Sequence, residues 1–131
     1  MVKIVLIGAG SSQFGLGTVS DIFKSDILKN CKITLHDINQ KTLEKTKKTA
    51  EKFKKDFDAN CIIESTTNRK EALKNADYCL ISIEVGNRFD LWDQDWKIPL
   101  QYGFKQIYGE NGGPGGLFHS LRITPAIIDI C

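Results

Sequence analysis

The sequence predicts an α/β fold, a Rossmann-like doubly wound parallel sheet in three αβα layers. Two observations predict it. Short apolar runs rich in β-branched residues alternate with longer amphipathic segments up to about residue 83, and the first run ends in a glycine turn that opens a helical pattern. Alternation of this kind places the strands parallel, joined by right-handed crossovers.

The first strand is read at about 2–7, a nearly continuous apolar run of the sort buried on both sheet faces. A helical pattern follows at about 15–28, then a strand at 32–36 and a lysine-rich amphipathic helix at about 40–58, entered through Asp37-Ile38-Asn39. The third strand is read at 61–64, a short helix at 69–75, and the fourth strand at 78–83, again apolar throughout. After Gly86 the pattern changes. Residues 88–101 read as a helix ended by Pro99 and Gly103, residues 109–116 as a glycine-rich loop, and residues 117–131 as a helix with no stop signal, which reads as continuing past Cys131.

The chain of 131 residues is one domain's worth, and residues 1–131 are read as a single, incomplete nucleotide-binding domain. Eighteen basic and 16 acidic residues leave a net charge of +2, which implies no nucleic-acid partner. The lysines at 41, 45, 47, 48, 52, 54 and 55 are interleaved with Leu43, Ala50, Phe53 and Phe57, the pattern of a solvated helix face. No signal peptide precedes the first strand and no apolar run approaches the ~18 residues of a membrane span, so no membrane partner is expected. Cys31, Cys61, Cys79 and Cys131 show no C-x-x-C spacing. Three lie in or beside strands, where a buried free thiol is the usual role, and a cytoplasmic setting is expected.

The glycine turn carries the first functional reading. In Gly8-Ala9-Gly10-Ser11-Ser12, glycines let the backbone turn and approach a ligand without a Cβ in the way, and the following helix turns its free N–H groups toward an anion. The dinucleotide fingerprint G-x-G-x-x-G is incomplete, because Gln13 holds the third glycine position and Gly15 and Gly17 come later. Asp37 ends the second strand, where a carboxylate accepts the adenosine ribose hydroxyls and repels a 2′-phosphate, so NAD is expected over NADP. Capping the next helix is its other reading. Glu84 and Gly86 follow the fourth strand at its carboxyl end, where ligands of open sheets bind, though period alone leaves the direction of Glu84 open. Glu110, with Asn111 beside it, sits in the glycine-rich loop as a candidate for sugar hydroxyls or a solvated surface acid. His36 and His119 have no partner at ligand or triad spacing and read as structural.

Four stretches together resemble the NAD-dependent family 4 glycoside hydrolases: Ile7-Gly8-Ala9-Gly10-Ser11, Leu35-His36-Asp37-Ile38, Ile83-Glu84-Val85-Gly86, and Glu110-Asn111-Gly112-Gly113-Pro114-Gly115-Gly116 running on to Leu121-Arg122-Ile123-Thr124-Pro125. The last is the most specific to that family. The resemblance implies the N-terminal NAD-binding part of a glycosidase that works by C3 oxidation, elimination, water addition and re-reduction, with NAD and Mn2+ as cofactors. It assigns Gly8, Gly10, Ser11 and Asp37 to the cofactor and Glu110 to a small-molecule glycoside; Ser12, Glu84 and Gly86 are expected beside the cofactor and Asn111 beside the sugar from their places in the chain. It places the metal-binding Cys and His and the tyrosine base beyond residue 131, so no catalytic residue or metal ligand is expected in this stretch, Cys131 included, and the stretch alone should be inactive. It also implies a homo-oligomer for the complete protein. The rival is a dehydrogenase of the malate or lactate type, which carries paired arginines after the fourth strand, whereas only Arg88 stands here. A non-catalytic nucleotide-sensing module is the third reading.

Overall fold

The computed structural model describes residues 1–11, 13–105 and 112–131. They form two compact units, Met1–Ser82 and Ile83–Cys131.

The first unit alternates β1 (Lys3–Ile7), α1 (Phe14–Lys24), β2 (Lys32–His36), α2 (Gln40–Asp56), β3 (Ile62–Thr66), α3 (Arg69–Leu73) and β4 (Tyr78–Ile81). All neighbouring strands are parallel, in the order β3-β2-β1-β4. The register sets Ile4 beside Ile33, Leu6 beside Leu35, and Ile33 beside Ile63. Because successive side chains point to opposite faces, these residues share one face. With Val19, Ile22 and Phe23 of α1 and Leu43 and Ala50 of α2 they make one apolar cluster. Each fully buried large aliphatic side chain there contributes about 1.5–3 kcal/mol.

The second face is more polar. It carries Lys3, Lys32, Thr34, His36 and Glu64, with Lys32 Nζ 2.8 Å from Glu64 Oε1. Lys3 Nζ donates to the carbonyls of Ala72 and Lys74, each at 2.7 Å, and so ties the end of α3 to β1. Asn39 caps α2 by accepting from Thr42 N at 3.1 Å, and Asn68 caps α3 by accepting from Glu71 N at 3.2 Å.

Two expectations need correction in this unit. The first helix stops at Lys24 rather than near residue 28, because Ser25 is extended and its Oγ accepts from Leu28 N in the turn that follows. The fourth strand is shorter than 78–83 and is exposed, with Tyr78 at 62%. Among the described residues it stands at one end of the strand order, beside β1. Cys79 on it is exposed, whereas Cys31 and Cys61 are buried as expected.

The second unit contains α4 (Arg88–Gln101) and α5 (Gly113–Ile130). Pro99 lies inside α4 rather than ending it. The helix closes when Gly103, at φ +87, donates to Leu100 O while Phe104 N reaches Pro99 O, the paired bonds of a Schellman turn. The helix α5 starts at Gly113, ahead of the expected residue 117. The reading of 113–116 as loop is therefore overturned. Pro114 sits in the first turn, where its missing N–H costs nothing, and Gly115 and Gly116 are buried, where the lack of a side chain serves packing.

Candidate functional site

β1 ends at Ile7, and Gly8 turns the backbone at φ +85, a conformation that L side chains rarely adopt. The N–H groups of Gly8 and Ala9 both donate to His36 O, at 2.9 and 3.0 Å, and this binds the turn to the carboxyl end of β2. Ser11 N returns to Gly8 O at 3.2 Å, and Ser11 Oγ accepts from Phe14 N, the first residue of α1, at 3.3 Å.

Gly15 does what the third fingerprint glycine does elsewhere. A Cβ at Gly15 would collide with the carbonyl oxygen of Ala9, so only glycine lets α1 settle onto the end of β1. From the sequence, Gly15 is noted only as coming after the third fingerprint position, which Gln13 holds. The signal was present, since the turn is merely two residues longer.

Gly10 makes room for the protein itself. Its N–H donates to Asp37 Oδ2 at 2.8 Å, and a Cβ there would lie 2.6 Å from that oxygen and 2.7 Å from Thr42 Oγ1. Asp37 Oδ1 accepts from Asn39 N at 2.9 Å, while Asn39 supplies the cap of α2. The half-buried carboxylate therefore takes one main-chain N–H on each oxygen and retains lone pairs for further donors. Ile38, next to it, stands 91% exposed, an apolar side chain that the sequence reading did not single out as a site residue.

The structure thus brings Gly8, Gly10, Ser11 and Asp37 together at the carboxyl edge of a parallel sheet, beside the N-terminus of an eleven-residue helix. That edge presents a fixed carboxylate for a vicinal diol beside a helix N-terminus, while the N–H groups of Gly8, Ala9, Gly10, Ser11, Phe14 and Gly15 are already taken by internal bonds. A nucleotide ribose fits the acceptor, and the helix dipole favours a phosphate next to it.

Glu84 and Gly86 belong to the second unit. Glu84 Oε1 lies 3.9 Å from Arg88 Nε, and the Arg88 guanidinium stacks 3.8 Å above the Trp92 ring. Gly86 turns at φ +82, and a Cβ on it would meet Leu91 at 2.9 Å. Ser12, Glu110 and Asn111 lie outside the described residues. His36 is buried with Nδ1 3.0 Å from Thr66 O, a structural placement, and His119 is half-buried on α5. One pair was missed altogether. Arg122, of the L-R-x-x-P stretch, grips buried Asp95 of α4 with both guanidinium nitrogens, Nη1 at 3.0 Å from Oδ1 and Nη2 on Oδ2. The hydrogen bonding to Asp95 raises the guanidinium pKa further. Among the described residues no three His, Cys, Asp or Glu side chains gather into a metal site, and no helix is long and apolar enough to cross a membrane.

Residues 3–131 match the family model described as family 4 glycosyl hydrolase. The chain is 60% identical over 129 residues to an alpha-glucosidase of Erwinia rhapontici, a match that covers 98% of this chain and 28% of that protein. Among solved structures it is similar to a 6-phospho-alpha-glucosidase from gut microorganisms in complex with NAD and glucose-6-phosphate, at 27% identity and TM-score 0.78 over 99% of this chain and 30% of the other. A 6-phospho-beta glucosidase from Thermotoga maritima with manganese, NAD+ and glucose-6-phosphate superposes at TM-score 0.82 and 23% identity over 98% of this chain and 30% of that one, a likeness of fold. The malate dehydrogenase of Plasmodium falciparum is more distant, at TM-score 0.54 and 21% identity over 76% of this chain and 33% of that one. The chain spans less than a third of the length of the glycosidases it matches.

Proposed function

Since this chain belongs to the family 4 glycosyl hydrolases, we propose that it is the N-terminal NAD-binding domain, residues 1–131, of an enzyme that hydrolyses α-glucosides or their 6-phosphates. The observation that carries the cofactor half of this reading is the Gly10–Asp37 contact, a carboxylate fixed beside the glycine turn. The α-glucosidase relative supports the sugar, and the glucose-6-phosphate complex supports the phosphorylated alternative.

In this reading Gly8, Gly10, Ser11 and Ser12 hold the NAD pyrophosphate, and Asp37 accepts the ribose hydroxyls through its remaining lone pairs. Ile38 offers the adenine an apolar face. When bound, NAD supplies reversible oxidation at a sugar carbon, which makes a neighbouring C–H acidic enough to break the glycosidic bond by elimination. This chain's residues contribute position rather than proton transfer. Asp37 fixes the nucleotide end, Glu84 and Gly86 belong on the nicotinamide side, and Glu110 and Asn111 bind sugar hydroxyls. The described residues do not themselves form a site for Mn2+. The working assembly is a cytoplasmic homo-oligomer of the complete protein.

The complete protein, given NAD and Mn2+, should cleave p-nitrophenyl α-glucoside or its 6-phosphate without accumulating NADH. NADH building up in proportion to a hydroxy acid would transfer the chain to the dehydrogenase reading. Asp37→Ala should weaken NAD binding by losing charge-assisted hydrogen bonds, each worth about 1.5–3 kcal/mol. Calorimetric affinity equal to that of the parent would remove Asp37 from the site.

A further inference from the structure

At the amino ends of β2 and β3, away from the glycine turn, two thiols lie side by side. Cys31 Sγ and Cys61 Sγ are 3.6 Å apart, both buried and both free, although thirty residues separate them in the chain. The pairing follows from the sheet. Lys32 is opposite Ile62 in the parallel register, so the preceding residues, Cys31 and Cys61, also face each other. Two main-chain bonds pin them there, Ile62 N to Cys31 O and Asn60 N to Lys29 O, each at 3.0 Å. Neighbouring strands run about 4.8 Å apart, inside the ~4.4–6.8 Å of Cα separation that a disulfide tolerates.

We propose that Cys31 and Cys61 form a vicinal dithiol in space that peroxide closes into a disulfide joining the starts of β2 and β3. Only the sulfurs need to move, because the backbone already holds the separation. The alternative is a pair of inert thiols packed as small apolar groups. Direct sulfur contact between adjacent strands is what separates the two readings, since packing alone calls for no second sulfur.

The chemistry balances in two steps. One thiolate attacks hydrogen peroxide, an S–O bond forms as the O–O bond breaks, and water leaves once a proton is returned. The second thiol then attacks the sulfenic sulfur, the S–S bond forms as the S–O bond breaks, and a second water departs. Two electrons pass from the sulfurs to peroxide, and both thiol hydrogens end in water. Burial, with the Cys61 thiol alongside, pushes Cys31 up to about 12, so the reaction is slow and proceeds through transient opening of the strand ends. Once formed, the bond closes a loop that holds all of α2 and the Asp37 turn, and it stabilises the first unit by restricting its unfolded chain. The site at Gly8, Gly10 and Asp37 lies at the other ends of the strands, so this proposal stands or falls apart from the assigned function.

The test uses the complete protein with Cys79→Ser and Cys131→Ser, incubated with hydrogen peroxide, denatured, alkylated and digested for mass spectrometry. The expected product is a Cys31–Cys61 linked peptide, two hydrogens lighter than its reduced halves and released by dithiothreitol, with a melting midpoint several degrees higher before reduction. Adding Cys61→Ala, or Cys31→Ala if that variant does not fold, should abolish the rise. Both cysteines found alkylated, or either found as sulfinic acid without a linked peptide, would overturn the proposal.

Discussion

The two units of the chain hold themselves together by different means. In the first, three strands and two helices close around one aliphatic cluster, with Leu6, Val19, Ile33, Leu35 and Leu43 wholly or almost wholly withdrawn from water. In the second, the buried residues are few and mostly small or polar, Asp95, Pro99, Gly115, Gly116 and Ile130, while Phe89, Tyr102, Leu117, Phe118 and Leu121 are exposed. Burial of area stabilises the first unit and tolerates modest change in any one contact. Among its described residues the second carries a directional contact between its helices, the Arg122–Asp95 pair. An ion pair of that kind is sensitive to loss of one partner, because the charge left behind remains desolvated.

The largest test of that contrast is Arg122→Met, which strands the Asp95 carboxylate. A loss of about 3 kcal/mol is expected, read as faster amide exchange in α4 and α5 with the first unit's protection unchanged. Arg122→Met combined with Asp95→Leu should recover most of it, and a double variant no better than the single would show that the pair is not what holds the helices. Next comes Gly15→Ala, the counterpart in the first unit. Its new methyl meets the Ala9 carbonyl, which cannot give way without moving β1, and about 2–3 kcal/mol should be lost in chemical denaturation. A midpoint equal to the parent's would mean that α1 does not rest on the turn as described. Asn39→Ala removes the cap of α2 and should cost about 1 kcal/mol. The smallest effect carries the opposite sign. Thr34 is buried with its Oγ1 unpartnered among the described residues, so Thr34→Val should leave stability unchanged or raise it by about 0.5 kcal/mol. A clear loss in that variant would reveal a partner for the hydroxyl.

Much of the first unit was legible because its signals are local. Apolar runs marked β1 and β2, and periodicity after an Asp37-Ile38-Asn39 entry marked α2, though its cap is Asn39 rather than Asp37. Features set by neighbours were not. The place of β4 at one end of the described strand order depends on which strands pair, and the Cys31–Cys61 contact depends on a register between strands thirty residues apart. The start of α5 was misread because glycine and proline usually break helices, yet Pro114 is harmless in a first turn and Gly115 and Gly116 are used for close packing. At the site, Gly8 and Asp37 could be named from the strand ends they occupy. The role of Gly15 was hidden by a longer turn, and that of Asp95 by the absence of any short-range link to Arg122.

The space at Gly10 has a consequence for how this protein can change over generations. Its missing side chain is filled by a carboxylate from position 37, so the two positions are mutationally coupled across 27 residues of sequence. A methyl at position 10 is a poor first step while Asp37 and Thr42 remain, and shrinking residue 37 relieves only one of the two contacts. Any lineage that gives up the acid at 37 eases position 10 only in part, and Thr42 Oγ1 has still to move before a side chain fits there.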